Sequence, residues 1–321
     1  MEPPSKDKEF PGIVVTPYRD KEINGDGCKS VPELKKDLER VKEFSVVRSY
    51  GTSCQQVQKY IQAMKELKLD MKLMLGVKGD NAVEELKELW SALGDNFAMV
   101  DSISVGNEVV LGVPEGDKAA RSKRVGELAT YATQVRKDLM NKKHPEIPVV
   151  IVDSWVVVKD YPDLCKASDY MAVNVHPWFN PDQLAKNAGK FLVDAVLKEL
   201  RRAVFDAGCR KPIRITGEDA FLIMLLLIRS DGRVTTDDQV EIGWPHAALP
   251  NPKITDKREA SQPAQDEALR SIVEAVGGSR DTIYLTSVDE RWKAKQDHVD
   301  PLGAEQVSPP FPFLSFLPVQ S

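Results

Sequence analysis

The sequence predicts an α/β protein folded as a single (β/α)8 TIM barrel, and three observations predict it. Short runs rich in valine and isoleucine alternate with longer amphipathic runs, the alternation repeats eight times, and no linker interrupts it. Parallel strands need a covering helix after each of them, and such units in unbroken series close into a barrel. At 321 residues, 42% hydrophobic and 29% charged, the chain has the composition of a globular protein able to bury a large core.

The strands read, in order, GIVVTPY (12–18), SVVRSYG (45–51), MKLMLGV (71–77), VDSISVGNE (100–108), PVVIVDSW (148–155), YMAVNVHP (170–177), PIRIT (212–216) and TIYLTSVDE (282–290). Between them lie helical patterns such as VPELKKDLERVKEF, CQQVQKYIQAMKELKL, NAVEELKELWSAL and NAGKFLVDAVLKELRRAVFDAG. In each the apolar residues recur at three- and four-residue spacing, which places them on one helix face. The barrel is expected over 12–306, between a flexible N-terminal segment 1–11 and an irregular Pro/Phe-rich tail 307–321.

Several function classes are disfavoured. The net charge of -5, with no basic run, argues against a nucleic-acid partner. The start MEPPSKDKEF lacks the basic end and apolar core of a secretory signal. The longest apolar run, 220–228, falls well short of the roughly 20 residues that span a bilayer. Cys28, Cys54, Cys165 and Cys209 are widely spaced and form no CxxC, so no zinc site is expected; two disulfides or buried free thiols both fit.

In a barrel of this type the active site lies at the C-terminal strand ends. Those ends supply Tyr18, Arg48, Tyr50, Asn107, Glu108, Asp153, Trp155, Asn174, His176, Trp178, Glu241, Trp244, Glu290 and, just beyond, Lys293. The set is carboxylates, amides and aromatic rings, without a histidine-rich metal cluster, a glycine-rich phosphate loop or a Ser/His/Asp arrangement. Paired carboxylates among flat rings suit glycosidic chemistry: one protonates the leaving oxygen, the other attacks or guides water, and the rings stack on sugar faces. Plainer alternatives stand beside this. His176 also reads as a core histidine, Trp155, Trp178 and Trp244 as packing between sheet and helices, Asp153 as an orienting or capping group, and Glu290 with Lys293 as a surface ion pair. Glu108 is the firmest candidate, because Gly106-Asn107-Glu108 ends an apolar strand where the pore opens.

Taken together, GIVVTPY, CKS (28–30), VVRSYGTSC, SVGNEVV, VVIVDSW, DYMAVNVHPWF, EIGWP and SVDERWK resemble the family 17 glycoside hydrolases, the β-1,3-glucanases and glucan-modifying enzymes of plant and fungal walls. The resemblance covers about 12–306 and is nearest to the fungal wall-associated branch. It implies Glu108 as general acid/base and Glu241 as nucleophile, Glu290 and Lys293 as the family's E-x-x-K pair, and Tyr18, Arg48, Tyr50, Asn107, Asn174, His176 and Trp244 as cleft residues. Ile242 stands where the family has threonine. A retaining double displacement follows, with no metal or organic cofactor and a β-glucan polysaccharide as the partner; apart from the resemblance, a monomeric chain is expected. The resemblance also implies an extracellular or wall location and the pairings Cys28 with Cys54 and Cys165 with Cys209.

One stretch departs from the family. Residues 217–239 separate PIRIT from VEIGWP, and they read as a retained intron. Codons for Gly217 and Glu218 can spell GGTGAG, holding a splice donor, and those for Gln239 and Val240 can spell CAAGT, holding an acceptor. Excision keeps the frame and yields PIRITVEIGWP. Val307 and Ser308 can likewise encode GTAAGT, which makes the tail a second read-through. A genuine loop and a genuine tail are the alternatives. With the insertion present, Glu218 can occupy the strand end in place of Glu241, and the second reading is a glucan-binding or wall-structural protein that lacks a correctly placed nucleophile. An unrelated barrel enzyme is the third and weakest reading, since no Schiff-base lysine or ligand set sits at the strand ends.

Overall fold

Backbone pairing and side-chain alternation together show how the strand runs are used. The computed structural model describes residues 10–19, 27–78, 82–175, 177, 180, 182–219, 262–276 and 282–285. Strands β1 (Phe10–Val14), β2 (Phe44–Arg48), β3 (Lys72–Val77), β4 (Val100–Asn107), β5 (Val149–Ser154), β6 (Met171–Asn174) and β7 (Ile213–Asp219) form a curled parallel sheet in which each pairs with the next. The register runs through Gly12↔Val46, Val47↔Leu73, Leu75↔Ile103, Val105↔Ile151, Val152↔Ala172 and Val173↔Ile215. A short β8 (Thr282–Leu285) pairs with β7 on one side and with β1 at Gly12↔Ile283 on the other.

Period-two alternation divides the sheet's two faces. Val14, Val46, Met74, Val150, Val152 and Ala172 pack with one another in a small cluster on the inner face. Their neighbours Ile13, Val47, Leu73, Leu75, Ile103, Ile151 and Val173 join a larger cluster with Leu34, Leu38, Tyr60, Met64, Leu89 and Leu128 of the helices. Both faces are therefore covered, which is why these strands are apolar throughout rather than alternating with polar residues.

The helices are α1 (Val31–Arg40), α2 (Gln56–Leu67), α3 (Ala82–Leu93), α4 (Lys118–Asn141), α5 (Trp155–Asp160), α6 (Asp163–Ala167), α7 (Ala188–Leu192), α8 (Arg201–Asp206) and α9 (Gln262–Val276), with a π-helical turn, Val193–Leu200, joining α7 to α8. Sequence sets some of their ends. Pro32 falls in the first turn of α1, where Glu33 accepts the Ser30 amide N–H at 2.7 Å, and Asp117 accepts from the Ala120 amide at 2.9 Å to start α4. The CQQ pattern starts its α-helix at Gln56, because Cys54 and Gln55 take left-handed backbone angles, φ 59° and 53°.

Both expected disulfides are present. Cys28–Cys54 ties the loop after β1 to the turn after β2, and Cys165–Cys209 ties α6 to the approach to β7, so one staple lies at each end of the sheet. With sequence separations of 26 and 44, each restricts the unfolded chain by about 3–4 kcal/mol on loop-entropy grounds. No helix among the described residues is long and apolar enough to cross a membrane.

Helix α9, beyond the long stretch after β7, is locked onto α7. The Gly189 amide donates to Ser271 Oγ at 3.0 Å, Ser271 Oγ donates to the Lys186 carbonyl at 2.9 Å, and a Cβ on Gly189 would overlap the Ser271 carbonyl. Gly189→Ala is expected to cost about 1–3 kcal/mol through this overpacking. Thermal unfolding should show a midpoint several degrees lower, and an unchanged midpoint would mean that α9 does not dock on α7.

Candidate active site

Strand β4 delivers Glu108 by an unusual route. Gly106 has φ 74°, and a Cβ there would come within 3.0 Å of Leu128 and Val109. Glu108 itself has φ 55°, a left-handed conformation that costs a non-glycine residue and persists only where the surroundings impose it. They do so on both sides: the Glu108 amide donates to the Val152 carbonyl of β5 at 3.1 Å, and its carbonyl accepts from Gly112 at 3.0 Å. The side chain ends up almost buried at the C-terminal end of the sheet.

Around it four strands contribute one hydrogen-bonded network. Asn174 Nδ2, from β6, donates to Glu108 Oε1 and to Asn107 Oδ1, both at 3.0 Å. Arg48 Nη2, from β2, donates to the same Asn107 oxygen at 2.8 Å, and its Nη1 donates to the Thr216 carbonyl of β7. Thr216 Oγ1 donates to Asn174 Oδ1 at 3.0 Å, which fixes the amide so that its N–H faces Glu108. Arg48 is fully buried yet sits 4.5 Å over the Tyr50 ring, so its charge is balanced by dipoles and a π-face. The sequence reading named Arg48, Tyr50, Asn107, Glu108 and Asn174, and the fold brings all five together. It missed Thr216 as a site residue, although Thr216 was the expected last residue of its strand.

Asp153 stands differently from expectation. It is fully buried on the helix-facing side of β5 and lines no open surface. Its Oδ2 accepts the Val110 amide and its Oδ1 the Ser154 amide, both at 2.9 Å, and the Leu111 amide adds a third bond. The capping alternative therefore describes it, and contact with a ligand does not. Burial, and then the Glu108 charge, push the Asp153 carboxyl up to about 7, outweighing the three amides. A carboxyl raised in this way binds its proton in the folded state when the unfolded chain has lost it. Stability should thus fall as pH rises from about 4 to about 7, by on the order of 4 kcal/mol. Denaturant unfolding at several pH values should show that slope in the parent chain and a flatter one in Asp153→Asn; equal slopes would count against the buried titration.

Other candidates are scattered. Tyr18 lies in the loop after β1, bridged to Cys28, at the same end of the sheet. Trp155 is not a strand end: it begins α5 and packs edge-on against Phe191 at 6.2 Å, with Lys159 5.1 Å over its ring, so its role is packing among helices. His176, Trp178, Glu241, Trp244, Glu290 and Lys293 lie outside the described residues. Strand β7 does not stop at Thr216 but continues through Gly217, Glu218 and Asp219, pairing Asn174↔Gly217 and Glu218↔Tyr284 around a local irregularity. At the opposite end of the sheet Arg214 Nη1 meets Asp101 at 2.6 Å and Tyr170 Oη at 3.3 Å, a polar plug that reads as structural.

The pattern of the BtgE/BtgC glycoside hydrolase domain matches residues 12–218. The chain belongs to this family. The match ends just inside the 217–239 segment, and it contains every residue of the Glu108 network. Among similar proteins, the probable family 17 glucosidase SCW10 of Saccharomyces cerevisiae is 30% identical over 88% of this chain and 60% of its own length. The cell surface mannoprotein MP65 of Candida albicans is 29% identical over 88% of this chain and 62% of its own. The chain thus spans about three-fifths of the length of these relatives. An endo-laminarinase from Formosa superposes with a TM-score of 0.64 at 18% identity, covering 90% of this chain and 80% of that one, which shows a shared fold. The resemblance to family 17 glycoside hydrolases in the sequence agrees with these findings.

Proposed function

We propose that this member of the BtgE/BtgC family is a retaining glycoside hydrolase domain acting on β-1,3-glucan, with Glu108 as general acid/base. The observation that carries the proposal is Glu108 itself: a strained, almost buried carboxyl at a strand end, addressed by Asn174 and surrounded by Arg48, Asn107, Tyr50 and Thr216. Names of the relatives, such as probable glucan endo-1,3-beta-glucosidase btgC of Aspergillus oryzae, support the substrate class. We take the architecture to be a complete (β/α)8 barrel over 12–306, a reading supported by the pairing of β8 with both β7 and β1. An extracellular or wall location and a monomeric chain complete the proposal.

The second carboxylate is assigned to Glu241 once 217–239 are removed. In the first step the Glu241 carboxylate attacks the anomeric carbon, the glycosidic C–O bond breaks and the Glu108 proton passes to the leaving oxygen. In the second, Glu108 takes a proton from water or a sugar hydroxyl, which displaces Glu241. The carboxyls should lie about 5 to 5.5 Å apart for this double displacement. Tyr18, Tyr50, His176, Trp178, Trp244, Glu290 and Lys293 are assigned to the sugar-binding cleft, and Asp153 is moved from that set to the support of Glu108. Proton NMR of the first product from a linear β-1,3-glucan oligosaccharide tests the mechanism in the chain lacking 217–239. A β-configured new reducing end is expected, and an α-configured one would sink it.

A second reading has its own observation. Because β7 carries Gly217-Glu218-Asp219, the alternative for the uncut chain is a catalytically impaired glucan-binding or wall-structural protein of the same fold. Binding of the oligosaccharide with no product from either chain length would favour it.

A further inference from the structure

We propose that the Cys28–Cys54 disulfide is a positioning element of the sugar-binding cleft, and that its selective reduction by a dithiol weakens glucan binding while leaving the chemical step intact. This rests on the assignment of Tyr18 and Tyr50 to that cleft, and adds what holds together the two loops that carry them.

After β1 the chain turns back on itself. The Lys29 amide donates to the Pro17 carbonyl at 2.8 Å and the Arg19 amide to the Gly27 carbonyl at 2.6 Å, so residues 17–19 and 27–29 run antiparallel with Tyr18 opposite Cys28. Tyr50 follows β2, and residues 51–55 lead from it into α2. Cys54 and Gln55 in this turn both take left-handed backbone angles, which non-glycine residues hold only where the surroundings impose them. The disulfide joins that strained turn to the residue facing Tyr18. Two ion pairs, Lys29 with Asp37 and Arg19 with Glu33, both at 2.8 Å, fasten the Tyr18 loop to α1 instead. From α2, Lys59 Nζ donates to the Lys29 carbonyl at 2.9 Å and Tyr60 Oη to the Val15 carbonyl. Opening the disulfide therefore leaves the Tyr18 loop folded on α1 and removes its covalent link to the turn after Tyr50.

Access separates the two disulfides. Cys165 and Cys209 are 1% and 3% exposed, whereas Cys28 and Cys54 are both half-buried. A thiolate must reach a sulfur to attack it, so the more exposed pair reacts first. One thiolate of the dithiol attacks: the S–S bond breaks, a mixed disulfide forms, and the other cysteine leaves as a thiolate. The second thiol of the reductant then closes its own disulfide and releases the remaining cysteine. Two electrons and two protons pass to Cys28 and Cys54, and the dithiol is oxidised. The turn at Cys54 and Gln55 relaxes, and Tyr18 and Tyr50 lose their fixed relation. Glu108 and Asn174 stand at the ends of β4 and β6, outside this link, so the loss falls on binding.

Two measurements test the idea. In the full 321-residue chain, graded dithiothreitol followed by iodoacetamide and peptide mapping should label Cys28 and Cys54 while Cys165 and Cys209 stay paired and the far-ultraviolet dichroism is unchanged. Labelling of all four together, or of Cys165 and Cys209 first, overturns the proposal. In the form lacking 217–239, the same selective reduction should raise KM for a linear β-1,3-glucan oligosaccharide by about three- to tenfold, the worth of one aromatic contact, with kcat little changed and KM restored on reoxidation. The joint change Cys28→Ser and Cys54→Ser should act alike, and in Tyr18→Ala reduction should move KM no further. An unmoved KM, or a fall in kcat together with the unfolding midpoint, overturns the positioning role. An inactive shortened form would count against the proposed function instead, and hydrogen exchange in the full chain then decides this one. Selective reduction should speed exchange of the Arg19 and Lys29 amides by about tenfold or more, and unchanged rates overturn it. If the serine variants do not fold, chemical reduction decides alone.

Discussion

Removing residues 217–239 is expected to raise activity on a linear β-1,3-glucan oligosaccharide by at least about 100-fold, the cost of misplacing a reacting group by about 1 Å. The register of β7 gives the reason. Strand β7 runs from Ile213 to Asp219, with Gly217 opposite Asn174 and Glu218 opposite Tyr284. Excision joins Thr216 to Val240, so Glu241 takes the chain position of Glu218 and is followed by Ile242, Gly243, Trp244 and Pro245. A glutamate thus holds the same chain position in both forms, but only the shortened one continues into GWP. In the uncut chain Glu218 is followed by Asp219 and the apolar run 220–228, which a globular surface accommodates poorly. Four proteins decide the matter: both lengths, the short form with Glu241→Gln, and the long form with Glu218→Gln. Activity confined to the short form and lost with Glu241→Gln is the expected pattern. Equal activity of both lengths would make the insertion a tolerated loop, and sensitivity of the long form to Glu218→Gln would identify that residue as a working substitute.

Glu108→Gln in the active form is expected to lower kcat/KM by about 100- to 10,000-fold, the range for loss of a positioned general acid. The substitution keeps the shape and leaves a side-chain oxygen for Asn174 Nδ2, so the network of Arg48, Asn107 and Thr216 need not collapse. Thermal unfolding should therefore change little while activity is lost. A substrate with a good leaving group, which needs no proton, should recover much of the first step. Uniform loss across all leaving groups would indicate disruption of the site rather than removal of an acid.

The parallel α/β architecture was legible because both faces of each strand are covered, which leaves long apolar runs such as VVIV at 149–152 that a half-exposed strand would not carry. Glu108 was legible for a local reason: Gly106 permits the left-handed turn, and the carboxylate follows directly at the strand end. Trp155 was harder, since a residue after DS extends a strand or begins a helix with equal ease, and packing with Phe191 settles it. Strand β7 was harder still. Gly217, Glu218 and Asp219 have poor strand propensity, and their pairing with β6 and β8 comes from segments distant in the chain.

By itself, then, the sequence determined the alternation and order of strands and helices and placed Glu108 at the end of β4, because periodicity, glycine placement and motif spacing are local properties. Tertiary structure alone decided that Asp153 faces backward into the Glu108 turn, that Thr216 orients Asn174, and that Arg48 is buried against Tyr50. Those relations depend on which strands lie side by side and on what surrounds a charge, and neither is written in the neighbours of a residue along the chain.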